Sequence, residues 1–419
     1  MKMKILNNPE LLSPAGDPEK LRIAIAYGAD AVYLSGNALG LRAQSTNFSN
    51  AELIESVAYA HERGVRCYAT MNIYAHPDDF ILMGEQLDAY VAAGIDACIV
   101  SDPGVFSFIR NRAPEMPIHI STQASVSNAE ACMFWYRLGV RRVVLARELT
   151  LEEIKGIRMS LPDDMELECF VHGAMCVSYS GRCLLSDFYT GRSGNRGACA
   201  QPCRWEYQVS EVKRPDQVLT VEGDQRGSYI FSSNDLCMIN HIPELVEAGI
   251  NSFKIEGRIK GAFYVATVTK AYRSAIDCYV RDPKAFSVDD KWSEWIGRTV
   301  HREFATGFFF DRPIDNPRIF SDQTYHKPAY VVGVVLSYDE KDARVIVEQK
   351  NKVSDSDTVT LMTPKGESLD IVIKDLRDAD GNSIISTPHA KMIYSFSYEK
   401  PIERYSFISR LGNKDMGIT

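Results

Sequence analysis

Four cysteines, Cys176, Cys183, Cys199 and Cys203, fall within 28 positions, separated by 6, 15 and 3 residues. Glycine and arginine crowd around them, as in Gly181-Arg182 and Arg196-Gly197. Four thiolates can hold an iron–sulfur cluster or a tetrahedral zinc ion, because sulfur donors suit both. The spacing lacks the paired Cys-x2-Cys knuckles of common zinc modules. A glycine-rich backbone also offers the N–H donors that the sulfurs of an anionic cluster need. Chemistry alone favours the cluster and leaves zinc open. Cys237 lies 34 residues beyond Cys203, and the spacing assigns it no role. Cys67, Cys98, Cys132 and Cys278 fall inside apolar helices and strands, where cysteines are ordinary buried thiols.

The same stretch is locally basic. Between His172 and Arg214 stand six cations (Arg182, Arg192, Arg196, Arg204, Lys213, Arg214) against three acids (Asp187, Glu206, Glu211). Tyr179, Phe188, Tyr189, Trp205 and Tyr207 are interleaved with them. Cations with aromatics suit single-stranded nucleic acid, through phosphate neutralisation and base stacking. Two rival functions deserve weight: a peptidase, and a non-catalytic RNA-binding protein with structural zinc. No Gly-x-Ser-x-Gly elbow and no His-Glu-x-x-His helix is present. Cys176 with His172 could form a thiol–imidazole pair, but a nucleophile leaves three further cysteines unexplained.

The elements that carry these residues repeat. A helix of apolar period ends at a glycine, and a short β-rich run follows, at Gly28, Gly64, Gly94, Gly139 and Gly249. Glycine there supplies the left-handed residue that stops a helix, and the apolar runs suit parallel strands buried on both faces. The strands are expected at 10–12, 31–34, 65–71, 97–100, 117–120, 143–145, 166–171 and 252–255. Helices are expected at 17–27, 50–63, 79–92, 128–138 and 260–280. Eight such units predict a (β/α)8 TIM-type barrel over residues 1–283, with an open doubly wound sheet as the alternative. A cysteine-rich insertion, 172–236, interrupts it after the seventh strand. A barrel places its site at the C-terminal ends of its strands. The polar residues there are Ser13, Ser35, Asn72, Ser101, Asp102, Gln123, Arg147, Glu148, His172, Glu256 and Arg258. Among them Asn72, Gln123, Arg147, His172, Glu256 and Arg258 are the substrate-binding candidates. Arg147 and Arg258 could pair with a dicarboxylate.

Residues 284–327 read as an extension packed on the barrel, with Pro313 and Pro317 marking loops. Residues 328–412 alternate β-runs and turns, which predicts a small antiparallel β-barrel domain. With 45% hydrophobic and 24% charged residues, the 419-residue chain has globular composition. Its net charge of −8 argues against a surface wholly devoted to nucleic acid, though not against one basic patch. No run is apolar enough for a membrane span, and the first nine residues lack the apolar core of a signal peptide. A cytoplasmic chain is expected, in which clustered cysteines point to metal or catalysis rather than disulfides.

Several motifs together resemble peptidase family U32, the collagenase-like proteins. They include Phe170-Val171-His172-Gly173-Ala174-Met175-Cys176, Tyr179-Ser180-Gly181-Arg182-Cys183 and Cys203-Arg204-Trp205-Glu206-Tyr207. Leu11-Leu12-Ser13-Pro14-Ala15-Gly16, Asn72-Ile73-Tyr74-Ala75-His76, Ser121-Thr122-Gln123-Ala124-Ser125 and Lys254-Ile255-Glu256-Gly257-Arg258 also agree. The resemblance spans essentially the whole chain and is strongest to the branch of the family that hydroxylates the wobble uridine of tRNA with prephenate. It implies a [4Fe–4S] cluster on Cys176, Cys183, Cys199 and Cys203, with tRNA and a small dicarboxylate as partners.

Overall fold

The computed structural model describes residues 8–36, 47–205, 233–310, 326 and 328–412, and the backbone of two short strands, Ser210–Glu211 and Arg214–Val218. Eight parallel strands close into a barrel: Glu10–Pro14, Ala31–Leu34, Arg66–Met71, Ala97–Val100, Ile118–Ile120, Arg142–Val144, Glu166–Ala174 and Ser252–Ile255. The last pairs in parallel with both the first and the seventh, which shuts the ring. The open-sheet alternative is thereby eliminated.

Local signals explain the helices between them. Asp17 accepts from the Lys20 backbone N–H and Pro18 opens the first helix, Pro18–Ala26. Ser49 and Thr150 form reciprocal capping boxes with Glu52 and Glu153. Each of the five helix-ending glycines has positive φ, from 71° at Gly64 to 97° at Gly28. The helices pack around the strands in one large apolar core.

The barrel interior differs from that apolar shell. Leu12, Ala31, Tyr33, Tyr68, Ala97 and Ile99 form a small cluster inside it. Below and beside them runs a chain of buried charges. Arg142 Nη1 donates to Glu10 Oε1 at 2.5 Å and lies 3.4 Å from Glu168 Oε2, whose other oxygen accepts from Lys254 Nζ at 2.7 Å. Tyr68 and Ser252 also donate to Glu10, both at 2.9 Å. Burial would raise the Glu10 carboxyl, but the Arg142 and Arg66 guanidiniums outweigh it and hold it below its usual range.

Helix Asp290–Gly297 packs on the last barrel helix, Ala262–Arg281, and buries Trp292, Trp295 and Ile296 in the barrel's own core. Residues 311–325, including Pro313 and Pro317, lie outside the described residues. The C-terminal domain is a seven-stranded antiparallel sheet in the order Leu369–Val372, Thr358–Met362, Phe407–Leu411, Ala329–Asp339, Arg344–Gln349, Ile393–Ser397, Arg377–Asp378. Its core joins residues such as Val332, Val347, Leu361, Tyr394 and Phe396. Among the described residues its two outer strands share no ladder, so the roll is not closed by hydrogen bonds. It seats Val334, Met362 and Phe407 against Ile23, Tyr27 and Ala266 of the first and last barrel helices.

Candidate active site at the barrel mouth

The insertion is anchored at both ends. The seventh strand continues through His172 to Ala174, three residues beyond the expected end, because Asp235–Cys237 returns antiparallel beside it. Asp235 faces Ala174 and Cys237 faces His172. Further out, the Arg196 guanidinium grips the buried Asp79 carboxylate with two bonds of 2.7 and 2.8 Å. That grip holds the Asp79 carboxyl below its usual range. Gly181 (φ +79°) lies flat over Gln123, where a Cβ would come within 3.0 Å of the side chain.

Anchored this way, the insertion roofs a cavity of about 230 Å³ over the C-terminal ends of the strands. All four clustered cysteines line it, together with Asn72, Gln123, Arg147, Glu256 and Arg258. Cys176 and Cys199 are exposed, while Cys183 and Cys203 are partly buried. Burial pushes the Cys203 thiol up to about 11; Arg204 opposes this, and Cys176, Cys199 and Cys183 are near enough to reinforce it. The Gln201 backbone N–H donates to Cys199 Sγ at 3.3 Å. Among the described residues no three His, Cys, Asp or Glu side chains form a finished metal-binding group. The thiols are a gathered donor set around one space, with one backbone N–H already given to sulfur, and in that respect they fit a thiolate-ligated group.

The cavity wall holds polar atoms that lack partners among the described residues. Asn72 Nδ2 donates to Ser121 Oγ at 3.2 Å, but Asn72 Oδ1 has no partner among the described residues. Gln123 Oε1, Ser180 Oγ and Arg147 Nε are likewise buried and unpartnered. Arg147 lies 4.2 Å over the Phe170 ring, and its Nη1 donates to the Ala174 carbonyl at 2.8 Å. Arg258 is only 4% exposed and donates to Thr70 Oγ1 at 3.2 Å, so it belongs to the buried wall rather than to a surface rim. A ligand offering both N–H donors and anionic oxygens would complete such a set.

His172 is not part of this cavity. Lys254 pairs with Phe170 but Ile255 pairs with His172, so Val171 is an extra residue in the seventh strand. A bulge turns the following side chains to the other face. His172 is buried against Tyr264, Tyr272 and Phe304, and burial pushes its imidazole down to about 3. Cys237 is also outside the lining; burial pushes its thiol up to about 11, and it bonds to Tyr272. Other polar strand-end residues have structural duties. Ser13 bonds Thr269 at 2.9 Å, Ser101 donates to the Asn72 carbonyl at 3.0 Å, and Asp102 caps helix Pro103–Arg112. Ser35 and Glu148 do not line the cavity either.

Tyr33, Thr70 and Lys254 line the cavity without having been singled out from sequence. Lys254 carried a signal: a lysine between Phe253 and Ile255 in an otherwise apolar parallel strand needs an interior partner, here Glu168. Of the basic, aromatic stretch, the side chains of Glu206, Tyr207, Glu211, Lys213 and Arg214 lie outside the described residues.

Comparison with known proteins covers both parts of the chain. It is 39% identical to tRNA hydroxylation protein P1 of Bacillus subtilis, over 96% of this chain and 94% of that protein. It is 36% identical to tRNA hydroxylation protein P of Escherichia coli, over 91% of each. A protein of Porphyromonas gingivalis named collagenase is 36% identical over 73% of this chain and 74% of its own length. Residues 16–317 match peptidase family U32 and residues 328–409 match that family's C-terminal domain. With the motifs, barrel and C-terminal sheet in agreement, the chain belongs to peptidase family U32.

Proposed function

We propose that this protein hydroxylates RNA, and specifically a wobble uridine of tRNA, in the cavity between the barrel mouth and the cysteine insertion. Near full-length similarity to proteins named for tRNA hydroxylation supports the reaction class. The observation that carries the assignment to this site is the convergence of four thiols and five polar barrel residues on one space. Cys176, Cys183, Cys199 and Cys203 would hold a [4Fe–4S] cluster, which when bound supplies one-electron chemistry to the cavity. Asn72 Oδ1 and Gln123 Oε1 are acceptors suited to the N3–H of a uracil. Arg147 Nε is a buried donor without a partner among the described residues and suits a carboxylate, and Arg258 and Lys254 add positive charge to the same wall. That combination suits a dicarboxylate donor such as prephenate.

The peptidase reading loses its imidazole. Cys176 lines the cavity, whereas His172 is buried on the far side of a bulge and pushed away from protonation. Deletion of the gene should remove hydroxylated wobble uridine and its derivatives from bulk tRNA. Wild-type protein should restore them and the Cys203→Ala variant should not. Unchanged nucleoside content after deletion, with peptide cleavage by the purified protein, would reverse the assignment.

A further inference from the structure

Beside the cavity stands a group of exposed aromatic side chains to which the proposed reaction assigns no role. Helix Leu185–Thr190 carries Phe188, which is 83% exposed, and Tyr189, which is 51% exposed. The Phe188 and Tyr189 rings lie 5.3 Å apart at 88°, and Trp205 lies 6.4 Å from Tyr189 at 56°. The helix cannot roll them inward. On its other face the buried Ser186 hydroxyl donates to the Arg192 carbonyl at 2.6 Å and accepts from the Ala200 N–H at 2.9 Å. Ser186 and Arg204 line the cavity, so the aromatic residues sit on the segments that wall it.

We infer that Phe188, Tyr189 and Trp205 form a stacking platform for the unpaired nucleotides that flank the base entering the cavity. The inference rests on the RNA reading above and adds a docking surface to it. A base turned out of its stack into a pocket leaves neighbours that need new partners, and aromatic faces supply them for any base. Charge selects the same occupant. Between residues 172 and 205 stand four arginines and one acid, Asp187. Arg196 binds Asp79, and even with it left out of the count arginine outnumbers acid along this stretch of chain. Phosphates complement such a surface, whereas an uncharged apolar partner would not.

The test uses the full-length protein and a fluorescently labelled RNA stem-loop with uridine at the first anticodon position. The same strand annealed into a continuous duplex is the control probe. Phe188→Ala and Tyr189→Ala should each weaken stem-loop binding roughly tenfold, the scale of one lost base–aromatic stack. Phe188→Trp should retain binding, and duplex binding should change little in all three. Phe134→Ala, at another exposed aromatic on the barrel's outer helices, should have no effect. Unaltered stem-loop affinity in the alanine variants, or equal loss for loop and duplex, overturns the platform. So does a shift from dimer to monomer without loss of RNA affinity, which would make this face a contact between two copies. Failure of the reaction is separable: selective loop binding that depends on Phe188 upholds the platform even if the bound uridine is never hydroxylated.

Discussion

The charged interior of the barrel makes a sharp prediction, because one carboxylate serves two cations of unequal means. Glu168 is fully buried and lies 2.7 Å from Lys254 Nζ and 3.4 Å from Arg142 Nη1. In Glu168→Gln, Arg142 keeps Glu10 at 2.5 Å and Glu166 at 2.7 Å. Among the described residues Lys254 then keeps no carboxylate, but retains the faces of Tyr33 at 4.6 Å and Phe170 at 5.4 Å. Stranding a buried charge destabilises by about 3–5 kcal/mol, and the ring faces that Lys254 already touches keep the cost at the lower end of that range. A net loss of about 3 kcal/mol follows, which for a domain of this size lowers the melting temperature by roughly 6–12 °C. Removing the orphan as well, in Glu168→Gln/Lys254→Met, should return most of the loss, since apolar replacements of buried ion pairs are commonly neutral. Thermal melts of both single variants and the double variant, followed by circular dichroism, complete the cycle. A Glu168→Gln melt within ~2 °C of wild type, a shift under ~1 kcal/mol at this size, would refute the reasoning. So would a double variant less stable than either single one.

Other consequences follow from the site. Anaerobically purified Cys203→Ala should lose iron and acid-labile sulfide, whereas Cys237→Ala should keep both, because Cys237 faces Tyr272 and not the cavity; elemental and sulfide analysis decides. Arg147→Lys should fold normally but lower tRNA hydroxylation at limiting prephenate, because an ammonium cannot reproduce a planar two-point contact. Full activity in that variant would move the donor elsewhere. Stability should fall in mild acid. His172, held neutral by burial down to about 3, binds a proton in the unfolded chain near 6.5, so its contribution is complete above ~6.5 and is lost as pH falls toward 3. The loss is about 2 kcal/mol at pH 5, measurable as a lower denaturation midpoint that His172→Leu makes less pH-dependent.

The eight strands were legible because each is a short, mostly apolar run, and five of them are launched from a glycine that stops the preceding helix. The gathering of the four thiols around one space was legible for a different reason: their spacing within an overlong loop has no use as packing. His172 was misplaced because one extra residue at Val171 inverts the strand's facing, and no composition signal marks that residue. Strand Asp235–Cys237 escaped notice because three residues hold no period, and its pairing is set by the seventh strand beside it. The ionic interior was unreadable in another way. Glu10, Arg142, Glu168 and Lys254 are scattered over 245 positions, and only closure of the ring brings them together.

The antiparallel stem formed by His172–Ala174 and Asp235–Cys237 has a consequence for how such proteins diversify. The insertion leaves the barrel and re-enters it at the same point, so its two ends are already brought together. Doubling the length of a loop closed in this way adds only about 0.6 kcal/mol of closure entropy. Residues between the stem strands can therefore be lengthened, shortened or exchanged while the barrel's ring of hydrogen bonds is left alone. What the site recognises can change by grafting a new roof onto an unchanged vessel.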